Sequence, residues 1–224
     1  EGAKSFDFLG DLGVKLPGGV IGIMLGIPDE DRDKVRDHVD GNLRTEEGKP
    51  MEMQSVDELT AMYHDYLKWR MKNPGDDLMT ELLQTEFTDE TGVTRTMNYE
   101  EVLIFVSLIA GAGVETTSRL IGWIGKVLGD HPEQRKDVRE NPKLVAATIE
   151  EILRCEPPST AVARYVTRDV EIHGQTVPKG SAIECLVAAA NRDSRRYENA
   201  DTFDIPRQGL PHTTFGRGIH SCLG

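Results

Sequence analysis

Residues 98–129 read NYEEVLIFVSLIAGAGVETTSRLIGWIGKVLG. Asn98 with Glu101 supplies an N-cap followed by an acid three residues on. From there to Gly129 only small residues interrupt the helical pattern. About 32 residues at roughly 1.5 Å each span on the order of 48 Å, so the stretch predicts one helix crossing the body of a domain. Its apolar core, Val102 to Val114, is broken only by Ser107 and bounded by Glu101 and Glu115. That run falls short of the roughly 20 residues a bilayer requires, so it reads as a buried core helix and no membrane span is expected.

Shorter helices precede it. Phe6 to Leu25 is apolar and Gly-rich, and Pro17-Gly18-Gly19 predicts a break into two helical pieces. Pro28 followed by Asp29, Glu30 and Asp31 opens a helix to about Leu43, with the acids favourable at its positive end. Ser55-Val56-Asp57-Glu58 is a capping box. It starts a helix with Leu59, Met62, Tyr63, Tyr66 and Leu67 on one face, ending at Asn73-Pro74-Gly75. Asp76 to Phe87 reads as another short helix, and Thr88 to Thr96 as polar and turn-like. Beyond the long helix, Pro132–Arg139 and Pro142–Glu156 predict two more. The character changes after Pro157-Pro158: Val162–Val166, Val170–His173, Gln175–Val177 and Ala182–Leu186 are short, β-branched and separated by turn residues. Asn191 to Pro211 reads as a long irregular segment. The expected class is mainly α with small β-hairpins (α+β), with residues 1–156 helical and 157–224 holding the hairpins and the last loop.

The chain of 224 residues has 38% hydrophobic and 29% charged residues, the balance of a soluble globular protein. Lys and Arg number 26 against 38 Asp and Glu, a net charge of −12 that disfavours nucleic acid as a partner. Three scattered cysteines, Cys155, Cys185 and Cys222, make no disulfide framework and suit a reducing, cytoplasmic compartment. Glu1-Gly2-Ala3-Lys4 lacks the apolar segment of a signal peptide, and both ends of the chain read as cut.

Three groups of residues carry chemistry. Phe215 to Gly224 reads FGRGIHSCLG. A single Cys can be the axial ligand of a haem iron, and Gly216 and Gly218 allow close approach to a flat macrocycle. Taken alone, the same residues also describe a Gly-rich turn ending in a buried thiol. A zinc site lacks a second ligand pair. Ala112-Gly113-Val114-Glu115-Thr116-Thr117 places an acid beside an alcohol within the apolar helix. Gly and Thr there can widen the helix locally, and the pair can relay protons. Close helix packing with an incidentally paired Glu is the other reading. Glu151-Ile152-Leu153-Arg154 is an i,i+3 ion pair, of little consequence on a surface unless a second cation such as Arg207 joins it in a buried place.

In this order and spacing the three motifs resemble the cytochrome P450 family, the haem-thiolate monooxygenases, over essentially the whole chain from about Phe6. Asn191-Arg192-Asp193 and Phe203-Asp204 followed by Arg207 are similar to its bacterial soluble members. The resemblance implies a partial P450 fold and haem b, iron protoporphyrin IX, as cofactor. It implies Cys222 as the iron ligand, Phe215 beside the sulfur, Gly216 and Gly218 against the ring, and His220 and Arg164 at the propionates. Glu115 and Thr116 would deliver protons, with Gly113 giving O₂ room. Glu151, Arg154 and Arg207 would form a buried structural triad. Leu108, Ala112, Thr160, Ala161 and Val162 would line the substrate pocket. Val114 departs from the many bacterial relatives that carry His there.

The implied reaction inserts one atom of O₂ into an apolar small molecule. Electrons would come from a ferredoxin and an NAD(P)H-dependent ferredoxin reductase, docked through Arg195, Arg196 and Arg217. Competing readings are a haem-thiolate peroxygenase, a non-catalytic haem sensor or carrier, and a helical domain without a cofactor.

Overall fold

The structure is a computed structural model and describes residues 5–43, 48, 55–207 and 211–224. The Glu1–Lys4 segment read for a signal peptide, and residues 208–210 of the expected 191–211 loop, lie outside the described residues. The chain forms two compact units, Glu1–Arg119 and Leu120–Gly224, and the boundary falls inside its longest helix.

In the first unit a π-helical turn, Phe8–Gly13, is capped by the Asp7 carboxylate, which accepts from the Leu9 and Gly10 amides. Helix α1 follows at Lys15–Met24 and α2 at Asp29–Leu43. The expected break at Pro17-Gly18-Gly19 is absent; it falls at Val14 instead. Pro17 occupies the first turn of α1, where an amide needs no intrahelical partner, so it does not disrupt the helix. The neighbouring glycines serve packing. A Cβ at Gly18 would stand 3.0 Å from Arg36 Cγ, and one at Gly22 would stand 2.8 Å from Arg32 Cγ. The missing side chains let α1 lie directly on the aliphatic stems of α2.

Ser55 and Glu58 form the capping box reciprocally. It opens α3 (Val56–Thr60), a 3₁₀ turn (Ala61–Tyr63) and α4 (His64–Lys72), three pieces where the sequence predicts one helix. Tyr63 and Leu67 are fully buried and Met62 and Tyr66 pack beside them, whereas Leu59 is exposed. Helix α5 covers only Leu78–Gln84, capped by Asp77, which also makes a buried ion pair with Arg70 at 2.6 Å. The end of the expected 76–87 helix is instead a strand: β1 (Glu86–Thr88) pairs antiparallel with β2 (Thr94–Thr96). Asp89 builds this hairpin, because its carboxylate accepts from Thr91, Val93 and Arg95. Local side-chain bonds of this kind favour a turn over continued helix.

Helix α6 runs Tyr99–Asp130 as one element, one residue displaced at each end from the expected span. Its N-cap is reciprocal: Asn98 Oδ1 accepts from the Glu101 amide, and Glu101 accepts from the Asn98 amide. Arg95 grips the same Glu101 with both terminal nitrogens, at 2.7 and 2.8 Å. Val102, Leu103, Val106, Ala110 and Val114 are buried against Leu25, Ile27, Val35, Val39, Tyr63, Leu67 and Met79, the core of the first unit. By length and composition α6 meets the criterion for a membrane-crossing helix, which the 102–114 run alone does not. Core helices meet the same criterion, and five residues of α6 are buried in the core of the first unit.

In the second unit, α7 (Pro132–Glu140) leads through a 3₁₀ turn capped by Asn141 to α8 (Val145–Cys155). Ile152 and Cys155 of α8 pack with Val127, Phe203 and Ile205. The small strands nest: β3 (Val162–Tyr165) pairs with β6 (Ala182–Cys185), and β4 (Val170–Ile172) with β5 (Gln175–Val177). The inner hairpin turns at His173 and Gly174, both in the left-handed region that two-residue hairpin turns require. A further helix, α9 (Val187–Asn191), precedes the segment expected to be irregular and shares only Asn191 with it.

Candidate functional site

Helix α8 buries two opposite charges on one face. Arg154 Nε and Nη2 each donate to a different oxygen of Glu151 at 2.8 Å, and both side chains are about 5% exposed or less. Arg207 Nε adds a third bond at 2.9 Å, and the Asp204 amide a fourth at 3.1 Å. Burial pushes the Glu151 carboxyl up, but the bonds from Arg154 and Arg207 outweigh it and hold the group below its ordinary value. Arg154 spends its remaining donors on the Asn191, Ala200 and Thr202 carbonyls, and Arg207 spends its own on those of Glu198, Asn199 and Thr202. The cluster therefore satisfies carbonyls at the end of α9 and in the irregular segment that follows it. Among the described residues no buried side-chain nitrogen or oxygen is unpartnered.

The last loop begins where this cluster ends. Gly216 and Gly218 take φ of +68° and +76°, a conformation side chains disfavour, and a short 3₁₀ turn covers Gly218–His220. The Gly216 amide donates to the Thr213 carbonyl and the Cys222 amide to that of Phe215 at 2.8 Å, so the loop closes on itself. Cys222 is exposed, as are Ile219 at 97% and Leu223 at 88%. A Gly-rich turn ending in a buried thiol is therefore not what the chain forms. Its buried thiol is Cys155, which burial pushes up to about 11 and keeps protonated, hence inert. Phe215 is half-exposed, its ring 5.7 Å from that of His212. His220 and Arg217 are exposed. Arg164 is exposed on β3, donating to the Ala163 carbonyl.

On α6, within the first unit, Ile104, Leu108 and Ala112 form an exposed i,i+4 ridge that continues to Thr116. Thr116 Oγ1 donates to the Ala112 carbonyl at 2.6 Å, and the half-buried Glu115 carboxylate pairs with Arg119. The helix continues through this segment as α-helix, so the widening expected there is not a break. Gly113 faces α1, where an added Cβ would stand 2.5 Å from Ile21 Cδ1. Thr160 and Val162 are exposed and Ala161 is partly buried, and the Thr160 carbonyl accepts from the Ala188 amide. Leu186, 57% exposed between β6 and α9, adjoins them and was not singled out from sequence. Asn191, named from sequence only as part of Asn191-Arg192-Asp193 and without a role, is fully buried. Of the arginines expected to meet a redox partner, Arg195 is paired with Asp193 at 2.7 Å and Arg196 lies over the Tyr197 ring.

Comparison with known proteins adds to this geometry. The family model for Cytochrome P450 matches residues 51–224. The Biotin biosynthesis cytochrome P450 of Bacillus subtilis (strain 168) is 33% identical over 234 residues, covering 100% of this chain and 57% of the relative. The crystal structure of P450BioI in complex with hexadec-9Z-enoic acid ligated Acyl Carrier Protein superposes with a TM-score of 0.84 at 32% identity, covering 98% of this chain and 56% of that one. CYP109E1 from Bacillus megaterium in complex with corticosterone gives 0.85 at 31% identity, covering 100% and 60%. The chain thus spans just over half the length of the curated relatives it matches.

Proposed function

This chain belongs to the cytochrome P450 family, and on that premise we propose that the intact protein is a haem-thiolate monooxygenase. It inserts one oxygen atom from O₂ into an apolar small molecule, with electrons from an external ferredoxin and its NAD(P)H-dependent reductase. The observation that carries this reading is the exposed Cys222 thiol, in a loop of two left-handed glycines that begins at the buried Glu151–Arg154–Arg207 cluster.

Haem b is the cofactor of the family, and two observations fit these residues to it. Among the described residues no group of three or more His, Cys, Asp or Glu could hold a metal, so Cys222 offers a lone donor, the set suited to iron already held in a macrocycle. Nothing lies within 4 Å of a Cβ added at Gly218, and the neighbouring Ile219 and Leu223 present uncovered apolar surface. When bound, the haem supplies the oxygen-activating chemistry, and the thiolate ligand favours cleavage of the O–O bond. His220 and Arg164, both exposed hydrogen-bond donors, would hold the propionates.

The chain's own contribution to the reaction is proton delivery and shielding. Thr116 commits its hydroxyl proton to the Ala112 carbonyl, so its lone pairs remain to accept from water or a ligand. Glu115, one residue before it, is the acid that exchanges protons with solvent, released from Arg119 by a turn of its side chain. By the family likeness, Leu108 and Ala112 in the first unit and Thr160, Ala161 and Val162 in the second are the proposed substrate contacts; exposed Ile104 and Leu186 neighbour them within their own units. The B. megaterium structure holds corticosterone and P450BioI an acyl carrier protein bearing a fatty acid, so apolar substrates of either kind suit these residues. Three free cysteines suit a cytoplasmic setting. The test is the carbon-monoxide spectrum of the reduced, intact protein. A thiolate-ligated haem gives a strongly red-shifted Soret band that Cys222→Ser abolishes; an unshifted band in the unaltered protein overturns the proposal.

A further inference from the structure

Asn191 ends α9 and is completely buried, yet no role above accounts for it. Every polar atom of its side chain that the fold could satisfy is satisfied. Its Oδ1 accepts from the Thr213 amide and from Thr213 Oγ1, both at 2.8 Å. Its Nδ2 donates to Thr214 Oγ1 at 2.9 Å. Its main-chain carbonyl accepts from Arg154 Nη1 at 2.9 Å. A backbone amide can only donate, so the Thr213 bond fixes which way the Asn191 amide points. That in turn makes Thr214 Oγ1 an acceptor from Asn191, which leaves its own proton for the Leu153 carbonyl at 2.7 Å. The direction of every bond is determined.

The two threonines are the first residues of the loop that matters. Thr213 offers its carbonyl to the Gly216 amide, and Phe215 offers its own to the Cys222 amide. A continuous set of hydrogen bonds therefore runs from Glu151 and Arg154 through Asn191 to Thr213 and Thr214, and then to the turn that carries Cys222. Aspartate cannot donate to Thr214, leucine makes none of the bonds, and glutamine is a methylene too long, so asparagine is the side chain the geometry requires.

We propose that Asn191, acting through Thr213 and Thr214, is the positioning residue that sets the Cys222 loop relative to the buried arginine cluster. The inference rests on the reading of Cys222 as an iron ligand, and the test separates the two. In the intact, haem-loaded protein, the share of the reduced carbon-monoxide complex with an unshifted Soret band is measured together with the iron midpoint potential and the thermal midpoint. Thr214→Val keeps the shape and removes both hydroxyl bonds. It is expected to raise the unshifted share several-fold and move the potential, with the thermal midpoint changed by only a few degrees. Thr214→Ser is expected to restore the original values. Asn191→Ala should show the larger effect, and the Thr214 pair decides the question if that variant does not fold. An unchanged band share in Thr214→Val overturns the inference, whatever happens to stability. So does an equal change in Thr214→Ser, which keeps the hydroxyl, because the two hydroxyl bonds would then not be what governs the band. A protein with no red-shifted band before any substitution overturns the iron-ligand reading instead.

Discussion

Glu151 stays ionised in a buried place because four donors converge on its two oxygens. Removing one partner leaves an uncompensated charge, so Arg154→Ala should destabilise the intact protein by about 3–5 kcal/mol in denaturant titration. Arg207→Ala, at a more accessible site, should cost less. The carboxyl is held below its ordinary value of 4.5. Its contribution is therefore present above that value and is lost as pH falls through the lower folded-state value. Glu151→Gln should remove this part of the acid sensitivity; an unchanged acid limb of the stability profile would show that Glu151 does not set it. On α6, Thr116→Ala should lower oxygen insertion driven by external electrons roughly a hundredfold. Turnover with hydrogen peroxide alone, if unaffected by that change, would mark a peroxygenase.

Elements meet where side chains are missing or where one side chain reaches between them. Gly19 and Gly22 lie in the same helix, but a Cβ at Gly19 meets nothing within 4 Å and one at Gly22 meets the stem of Arg32. Gly19→Ala should therefore stabilise by about 0.5–1 kcal/mol through helix propensity. Gly22→Ala gains the same but incurs overpacking of roughly 1–3 kcal/mol, for a net loss of about 1 kcal/mol. Opposite shifts of the denaturation midpoint would bear this out. The β1–β2 hairpin is fastened to α6 by Arg95, whose partner Glu101 is held down at about 2, first by that bond and then by the Asn98 amide. Arg95→Ala should lower the amide-exchange protection, measured against free-peptide rates, in the first turn of α6, and that protection in the unaltered protein should not change with pH well above 2. Equal exchange in the two proteins would show that the cap alone holds the helix end.

Over the whole molecule, charge is unevenly divided: the net −12 resides in residues 1–119, while residues 120–224 balance. On the proposed reading, an acidic electron donor would be repelled by the first unit and would dock on cations of the second. Arg195 is offset by Asp193, which leaves exposed Arg217 as the test. Arg217→Glu should slow electron delivery from an acidic ferredoxin several-fold at low ionic strength, a difference that salt should erase. Much of this molecule was legible in one dimension. The length of α6, the capping boxes at Ser55 and Asn98, and the Gly-rich turn at 215–222 are set by neighbours within a few residues, whose chemistry acts locally. Pro17 suggested a break because a proline in a first turn and one in a helix interior differ only in where the helix starts, and the 86–96 hairpin depends on equally local but weaker bonds. Arg207 could be suggested but not placed, and Asn191 was only part of a pattern. Their roles depend on contacts across tens of residues, and only the folded chain decides which carbonyl or hydroxyl a buried donor will meet.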